Sequence, residues 1–330
     1  MALSASPCPA GRAPVALLGR PLLVVSDLSA REVEALIGLA QFFKKRPVSE
    51  HGHLLRGKTL AMLFEKPSLR TRVSFEVAMT QLGGNVLFAT GSEFSIGSRE
   101  TPEDAAGVLS RYAHAVVVRT HDHEPLVRFA RAAAVPVING LSALEHPCQA
   151  LADMLTLKER FGSLHGLRIA YLGDARNNVA ASLAVAAALC GAQISFACPP
   201  THRPSESMLR QIKAFGKPLG VKPRAFTSAV RAVRGVDAVY TDVWTSMGEE
   251  ASTERNRAVM GPYAVTAALM KHAAPHAVFM HCLPAHRGQE VEAAVIDGPQ
   301  SVVFDQAENR LHIQKAILAA LLANLKGYEL

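Results

Sequence analysis

The sequence predicts an α/β protein made of two doubly wound parallel-sheet domains joined by interdomain helices. Three observations predict it. The length of 330 residues suggests two domains of about 150 residues each. Short runs of Val, Ile, Leu and Ala alternate with helical patterns in both halves, as buried parallel strands require. The unusual polar residues cluster just after those runs, where open α/β sheets bind ligands.

Taken in order, residues 1–26 contain no acid and are rich in Ala, Pro and Ser. A transit peptide shares that bias, but Pro7, Pro9, Pro14 and Pro21 spoil an amphipathic helix. Residues 1–21 are therefore expected to be a loosely ordered extension of a cytoplasmic protein. A helix over 29–45 is capped by Ser29 and turns Val33, Leu36, Ile37 and Phe42 or Phe43 inward. The run 59–64 reads as a buried strand. From Ser68 a helical pattern carries Phe75, Ala78, Met79 and Leu82 at spacings of three and four, and Gly83-Gly84 end it. A strand over 85–89, a Gly/Ser-rich loop over 91–101 and a helix over 103–112 follow. A strand over 115–118 ends at Arg119, a helix spans 124–133 and a strand 135–138. Pro147 starts a helix to residue 161.

The second half repeats the alternation. Strands are expected at 168–172, 194–198, 238–241, 277–280 and 302–304, and helices at 179–190, 205–215 and 311–325. A polar stretch covers 246–257. The expected division is a first domain over 22–148, completed by the C-terminal helix 310–330, and a second over 149–309.

Composition excludes several classes. Hydrophobic residues make up 49%, yet no apolar run approaches the ~18 residues of a membrane span. The net charge is +7, but there is no Lys/Arg block and aromatics are only 6%, which argues against nucleic acid and for small anionic substrates. Cys8, Cys148, Cys190, Cys198 and Cys282 are odd in number and scattered, forming neither a disulfide framework nor a metal motif.

The strand ends carry the chemistry. Ser68-Leu69-Arg70-Thr71-Arg72 lies where a strand meets a helix start. Free backbone N–H groups, two hydroxyls and two guanidinium groups favour a phosphate there; otherwise it is an N-cap with solvated arginines. Arg119, after three valines, needs a partner: a core carboxylate or an anionic ligand. His146 and Gln149 share the first turn of a helix, where an imidazole and an amide suit a carbonyl and an NH2 group. Gly173-Asp174-Ala175-Arg176-Asn177-Asn178 lacks the later glycines of a dinucleotide turn, and its asparagines suit a zwitterion. Asp242 and Cys282 end two strands and together suggest an ammonium site. Cys282 is otherwise a small buried hydrophobe or a nucleophile, although His281 beside it points to the opposite face.

These segments resemble the aspartate/ornithine transcarbamylases. Phe64-Glu65-Lys66-Pro67-Ser68-Leu69-Arg70-Thr71-Arg72 and His146-Pro147-Cys148-Gln149 match the wider family. Ser246-Met247-Gly248 after Asp242, and His281-Cys282-Leu283-Pro284, match its ornithine branch. The similarity runs from about Leu22 to Leu325. It implies a carbamoyl-phosphate domain and an ornithine domain, in a homotrimer or a multiple of trimers with sites at subunit contacts. It implies transfer of the carbamoyl group from carbamoyl phosphate to the δ-amine of L-ornithine, giving citrulline and phosphate, with no metal or organic cofactor.

By the same resemblance Ser68, Leu69, Arg70 and Thr71 hold the phosphate, Leu69 through its backbone N–H. Arg119, His146 and Gln149 hold the carbamoyl group with help from Thr71, and Arg310 reaches the same group. Asn178, Asp242, Ser246 and Met247 hold the α-amino and carboxylate ends of ornithine, while Cys282 and Leu283 lie beside the reacting amine. Arg70, Arg119, His146, Asp242 and Cys282 are the residues expected to carry catalysis. Two positions depart from the family: Leu69 stands where many relatives have Thr, and Ser95 where many have Gln or His reaching a neighbouring subunit. The competing readings are another acceptor (aspartate, putrescine or an N-acylated ornithine), a non-catalytic binding protein, and a nicotinamide dehydrogenase using the turn at Asp174.

Overall fold

The computed structural model describes residues 17–91, 96, 100–244 and 253–325. The first sheet contains β1 (Thr59–Phe64), β2 (Asn85–Thr90), β3 (Ala115–Arg119) and β4 (Val137–Leu141), in the order β2-β1-β3-β4. The second contains β5 (Arg168–Leu172), β6 (Gln193–Ala197), β7 (Arg224–Phe226), β8 (Ala238–Thr241) and β9 (Val278–His281), in the order β7-β6-β5-β8-β9. All pairings between these strands are parallel. In each sheet the chain runs outward from the middle, returns, and runs outward the other way. That path leaves a crevice between β1 and β3 and another between β5 and β8, at the carboxyl ends of the strands.

The helices of the first half are α1 (Ala30–Lys45), α2 (Val48–His51), α3 (Leu69–Gln81), α4 (Pro102–Tyr112), α5 (His123–Ala132) and α6 (Pro147–Phe161). Those of the second are α7 (Asn178–Leu189), α8 (Glu206–Gly216), α9 (Ala229–Val233), α10 (Thr253–Met260), α11 (Ala267–Met270), α12 (Ala293–Ile296) and α13 (Val303–Leu322).

Strand alternation sorts the cores. On β1, Leu60, Met62 and Phe64 face one way and Ala61 and Leu63 the other. The first set packs with α1, α3, α6 and α13, the second with α4 and α5. On β5, Ile169 and Tyr171 join the cluster that contains Leu60, while Ala170 and Leu172 face the separate cluster around Val265 and Phe279. One continuous core therefore runs through both domains along α6, α7 and α13. Each fully buried aliphatic side chain in it contributes roughly 1.5–3 kcal/mol, so Leu151, Leu155, Ile313 and Ile317 tie the two sheets firmly together.

The structure corrects the sequence reading at several places, beginning with the short helices α2, α9, α10, α11 and α12, which the expected elements lack. The run 302–304 is not a strand. Ser301 forms a single bridge to Phe279, and α13 starts at Val303, eight residues before the expected helix. Gln306, Asn309 and Arg310 are buried on that early part of α13. β7, absent from the expected strands, is a three-residue edge strand that opens on Arg224. β4 begins two residues later than expected and carries Asn139 and Gly140 inside the ladder. Finally, residues 17–21 are not loose. Leu17 is buried and donates its N–H to Ala320 of α13, and Gly19 donates to Leu321. Residues 1–16 lie outside the described residues. Among those described, no helix is long and apolar enough to cross a membrane.

Candidate active site

The two crevices open into one cavity of about 590 Å³, lined from the first sheet by residues 66–71, Arg119, Thr120, His121, His146 and Gln149. The second sheet contributes Asp174, Asn177, Asn178, Asp242, Val243 and residues 282–284, and α13 adds Arg310. The structure thus brings together Ser68, Leu69, Arg70, Thr71, Arg119, His146, Gln149, Asn178, Asp242, Cys282, Leu283 and Arg310. Ser246, Met247 and Ser95 lie outside the described residues.

At one end of the cavity Ser68 caps α3, its Oγ accepting from the Thr71 N–H at 3.3 Å. The remaining first-turn N–H groups and the helix dipole make this end favourable for an anion. Leu69 is 75% exposed, so its side chain has no packing role and its backbone is what it offers. Arg72 is not part of this end. It pairs with Glu76 at 3.0 Å and stacks over Phe88, because two residues along a helix turn it about 200° away from Arg70.

Arg119 enters the cavity from the end of β3. The β3–β4 register shifts between Val118 and Arg119, skipping Gly140. A Cβ on Gly140 would come within 3.1 Å of Val117, so glycine permits the close approach that bends the strand here. Arg119 is buried, and its Nε has no partner among the described residues. Burial, with the charges of Arg310 and Arg70 adding to it, lowers its pKa to about 10. Three guanidinium groups facing one cavity repel each other and are relieved by an anion.

Arg310 is fully enclosed and joins the parts. It donates to Gln149 Oε1 at 2.6 Å and to Thr71 Oγ1 at 2.9 Å, and lies 3.4 Å from His146 Nε2. Because Thr71 accepts from Arg310, its hydroxyl hydrogen remains free to donate to a ligand. Burial, reinforced by Arg310 and Arg119, holds His146 far below the usual imidazole range, so it is neutral. Its Nδ1 has no partner among the described residues. The His146 backbone is fixed by Ser182 Oγ at 2.8 Å, which in turn donates to Glu145.

The opposite wall is acidic. Cys282 Sγ lies 3.1 Å from Asp242 Oδ1. Burial first, then the Asp242 charge, pushes the thiol well above its ordinary pKa. Cys282 is therefore a thiol, not a thiolate nucleophile. His281 faces elsewhere: its Nδ1 accepts the Leu283 N–H at 2.9 Å, and its Nε2 is 3.3 Å from the buried Glu290. Asp242, His281 and Cys282 do offer one carboxylate, one nitrogen and one sulfur within 4.8 Å of one another. Within this group the sulfur keeps its proton and His281 Nδ1 accepts the Leu283 N–H. Asn178 Nδ2 donates across the domain boundary to the Ser142 carbonyl at 2.6 Å, which ties α7 to the segment before α6.

Sequence reasoning passed over Asp153 and Gln306. Asp153 accepts from Gln149 Nε2 at 2.8 Å and from Gln306 Nε2 at 2.7 Å, and all three side chains are buried. A signal was present: Gln149 and Asp153, like Gln306 and Arg310, stand four apart on one helix face.

Comparison with known proteins agrees with this architecture. Residues 20–159 match the carbamoyl-P binding domain of aspartate/ornithine carbamoyltransferase, and residues 165–321 match its Asp/Orn binding domain. The chain is 47% identical to the anabolic ornithine carbamoyltransferase of Pyrococcus furiosus, over 94% of this chain and 99% of that one. It is 47% identical to the ornithine carbamoyltransferase of Bacillus subtilis, over 93% of this chain and 95% of that one. The solved structure of ornithine carbamoyltransferase from Pyrococcus furiosus superposes with a TM-score of 0.89 at 47% identity, covering 93% of this chain and 98% of that chain. That of the Thermus thermophilus enzyme gives 0.82 at 42%, covering 92% and 98%. With both of its sheets matched along their length, and the cavity between them lined as described, this chain belongs to the aspartate/ornithine carbamoyltransferase family.

Proposed function

We propose that this chain transfers the carbamoyl group of carbamoyl phosphate to the δ-amine of L-ornithine, releasing L-citrulline and phosphate. The observation that carries this reading is the polarity of the one cavity. Arg70, Arg119 and Arg310 converge beside the N-terminus of α3, and the Asp242–Cys282 pair lies across from them. An anionic donor and a cationic, zwitterionic acceptor fit those two walls.

In the proposed mechanism Ser68, Arg70, Thr71 and the Leu69 N–H hold the phosphoryl group. The carbonyl oxygen rests against Arg119, neutral His146 and the Thr71 hydroxyl. Gln149 Oε1 accepts from the carbamoyl NH2. Asp242 receives the α-ammonium of ornithine, with Asn178, Ser246 and Met247 serving the α-carbon end, and Cys282 and Leu283 flank the δ-amine. The neutral amine attacks the carbonyl carbon and forms the C–N bond. The developing oxyanion is stabilised by donors already in place, a contribution of about 3–4 kcal/mol for each strong donor. The C–O bond to phosphate then breaks, and the leaving phosphate takes the amine proton. Closure of the two domains aligns the reactants and excludes water. A homotrimer is part of the proposal, and Leu87, Val108 and Tyr112 supply exposed apolar surface on the first domain. Sedimentation should then give three times the 35.3 kDa chain mass, or a multiple of it.

The test is citrulline and phosphate release with ornithine, putrescine, aspartate and N-acetylornithine compared side by side. Turnover with ornithine supports the whole reading. Turnover with another acceptor alone keeps the donor half and rejects the acceptor. Absence of turnover by a folded sample that binds carbamoyl phosphate leaves a binding protein.

A further inference from the structure

The side chains that face the substrates do not orient themselves. Gln149 has a buried amide with two ends of nearly equal shape and opposite hydrogen-bonding sense. Its Nε2 donates to Asp153 Oδ1 and its Oε1 accepts from Arg310. Asp153 Oδ1 accepts whether the carboxyl is ionised or carries its proton on the unpartnered Oδ2, so it admits one end of the amide and not the other. The same oxygen accepts from Gln306 Nε2, and Gln306 Oε1 accepts the backbone N–H of His281 at 3.0 Å, one residue before Cys282. Gln306 also reaches the Tyr240 hydroxyl at 3.1 Å. A single oxygen on α6 thus touches one amide serving the donor half of the cavity and another serving the acceptor half.

We infer that Asp153 is the positioning residue shared by both half-sites. Its Oδ1 selects the orientation in which Gln149 presents an acceptor to the carbamoyl NH2, and through Gln306 it fixes the strand end that carries Cys282. This rests on the proposed reaction, in which Gln149 meets the carbamoyl group. A flipped Gln149 would set NH2 against NH2 and lose that hydrogen bond. Inorganic phosphate, held by residues 68–71, does not touch Gln149 and is insensitive to its orientation.

The experiment measures binding of carbamoyl phosphate and of inorganic phosphate by the full chain, with ornithine KM alongside. Asp153→Ala should weaken carbamoyl phosphate by about 10- to 100-fold, the cost of a buried hydrogen bond to a misoriented partner, and leave phosphate within about twofold. Asp153→Asn keeps the accepting oxygen and should restore most of the loss. Gln306→Met cuts only the acceptor arm, so ornithine KM should rise several-fold while carbamoyl phosphate binding holds; this variant decides the question if Asp153→Ala fails to fold. Equal loss of both ligands in Asp153→Ala would reduce Asp153 to a structural role and overturn the inference. So would Gln306→Met with unchanged ornithine KM. If wild-type carbamoyl phosphate fails to compete with phosphate, the reaction assignment falls and takes this inference with it.

Discussion

Asp153→Asn also removes one titration from the middle of the molecule, and its effect on stability has a worked sign. Burial raises the Asp153 carboxyl from 3.8 to about 7, against hydrogen bonds from Gln149, Gln306 and Tyr240 and the Arg310 charge, all of which pull it down. Cys282 and Tyr240 face it as well, and burial keeps both protonated. Below pH ~4 the carboxyl is protonated in folded and unfolded chains alike, and its contribution is fully present. As pH rises from about 4 to 7 the unfolded chain ionises first, and folded stability falls. Above about 7 the loss is complete. A shift of about three pH units at 1.36 kcal/mol each amounts to roughly 4 kcal/mol. Asparagine has no such loss. The unfolding midpoint of Asp153→Asn minus that of wild type should therefore climb between pH 4.5 and 8, and level off above. With an unfolding entropy near 2.1 cal/mol/K per residue over this length, the climb is roughly 6 °C. Paired thermal scans at fixed ionic strength read it directly. The offset depends on how the new NH2 fits beside Oδ2's position; the slope does not. A difference that stays flat with pH, or falls, would refute the account of Asp153.

Other outcomes follow from the same geometry. Arg70→Ala should weaken inorganic phosphate about 10- to 150-fold, as loss of a charged hydrogen bond does; near-normal phosphate binding by calorimetry would remove Arg70 from the site. His146→Gln should lower kcat by roughly 10²–10³ yet leave the acid limb of the pH–rate profile between pH 5 and 7 in place, because burial already keeps the imidazole neutral there. Asp242→Asn should raise ornithine KM by about 10- to 100-fold and spare carbamoyl phosphate binding; the reverse pattern would contradict its placement on the acceptor wall. The raised pKa of Cys282 predicts slow alkylation by iodoacetamide at pH 8, followed by peptide mass, with no faster reaction when Asp242 is intact than when it is Asn.

The strands were legible because Thr59–Phe64 and Ala115–Arg119 are continuous apolar runs, and the rule that ligands meet strand ends then selected Ser68, Arg119, His146, Asp242 and Cys282 without a structure. What stayed hidden has a common cause. Arg310 was placed by resemblance alone, and Gln306 and Asn309 carry no signal in sequence, because each finds its buried partner on another element, which converts a polar segment into the opening turns of a core helix. Arg70 and Arg72 look equivalent in sequence; helical rotation alone separates them. Asp153 was overlooked for the converse reason, since a lone acid in an apolar helix has meaning only beside the amides it meets. Ser246 and Met247 were placed by resemblance to the ornithine branch, and lie outside the described residues.

Helix α13 packs against α1, α3 and α6 of the first domain and delivers Arg310 to Thr71 and Gln149. During synthesis that helix leaves the ribosome only after both sheets have emerged. The first sheet can assemble early, yet its phosphate end waits, with a vacant slot beside α3, until the chain returns. A nascent chain that ends before α13 is complete, near residue 322, therefore exposes an apolar groove to the cell and lacks the Arg310 side of its pocket. Translation order makes the completed pocket a late property of the single chain, and places a period of aggregation risk just before it.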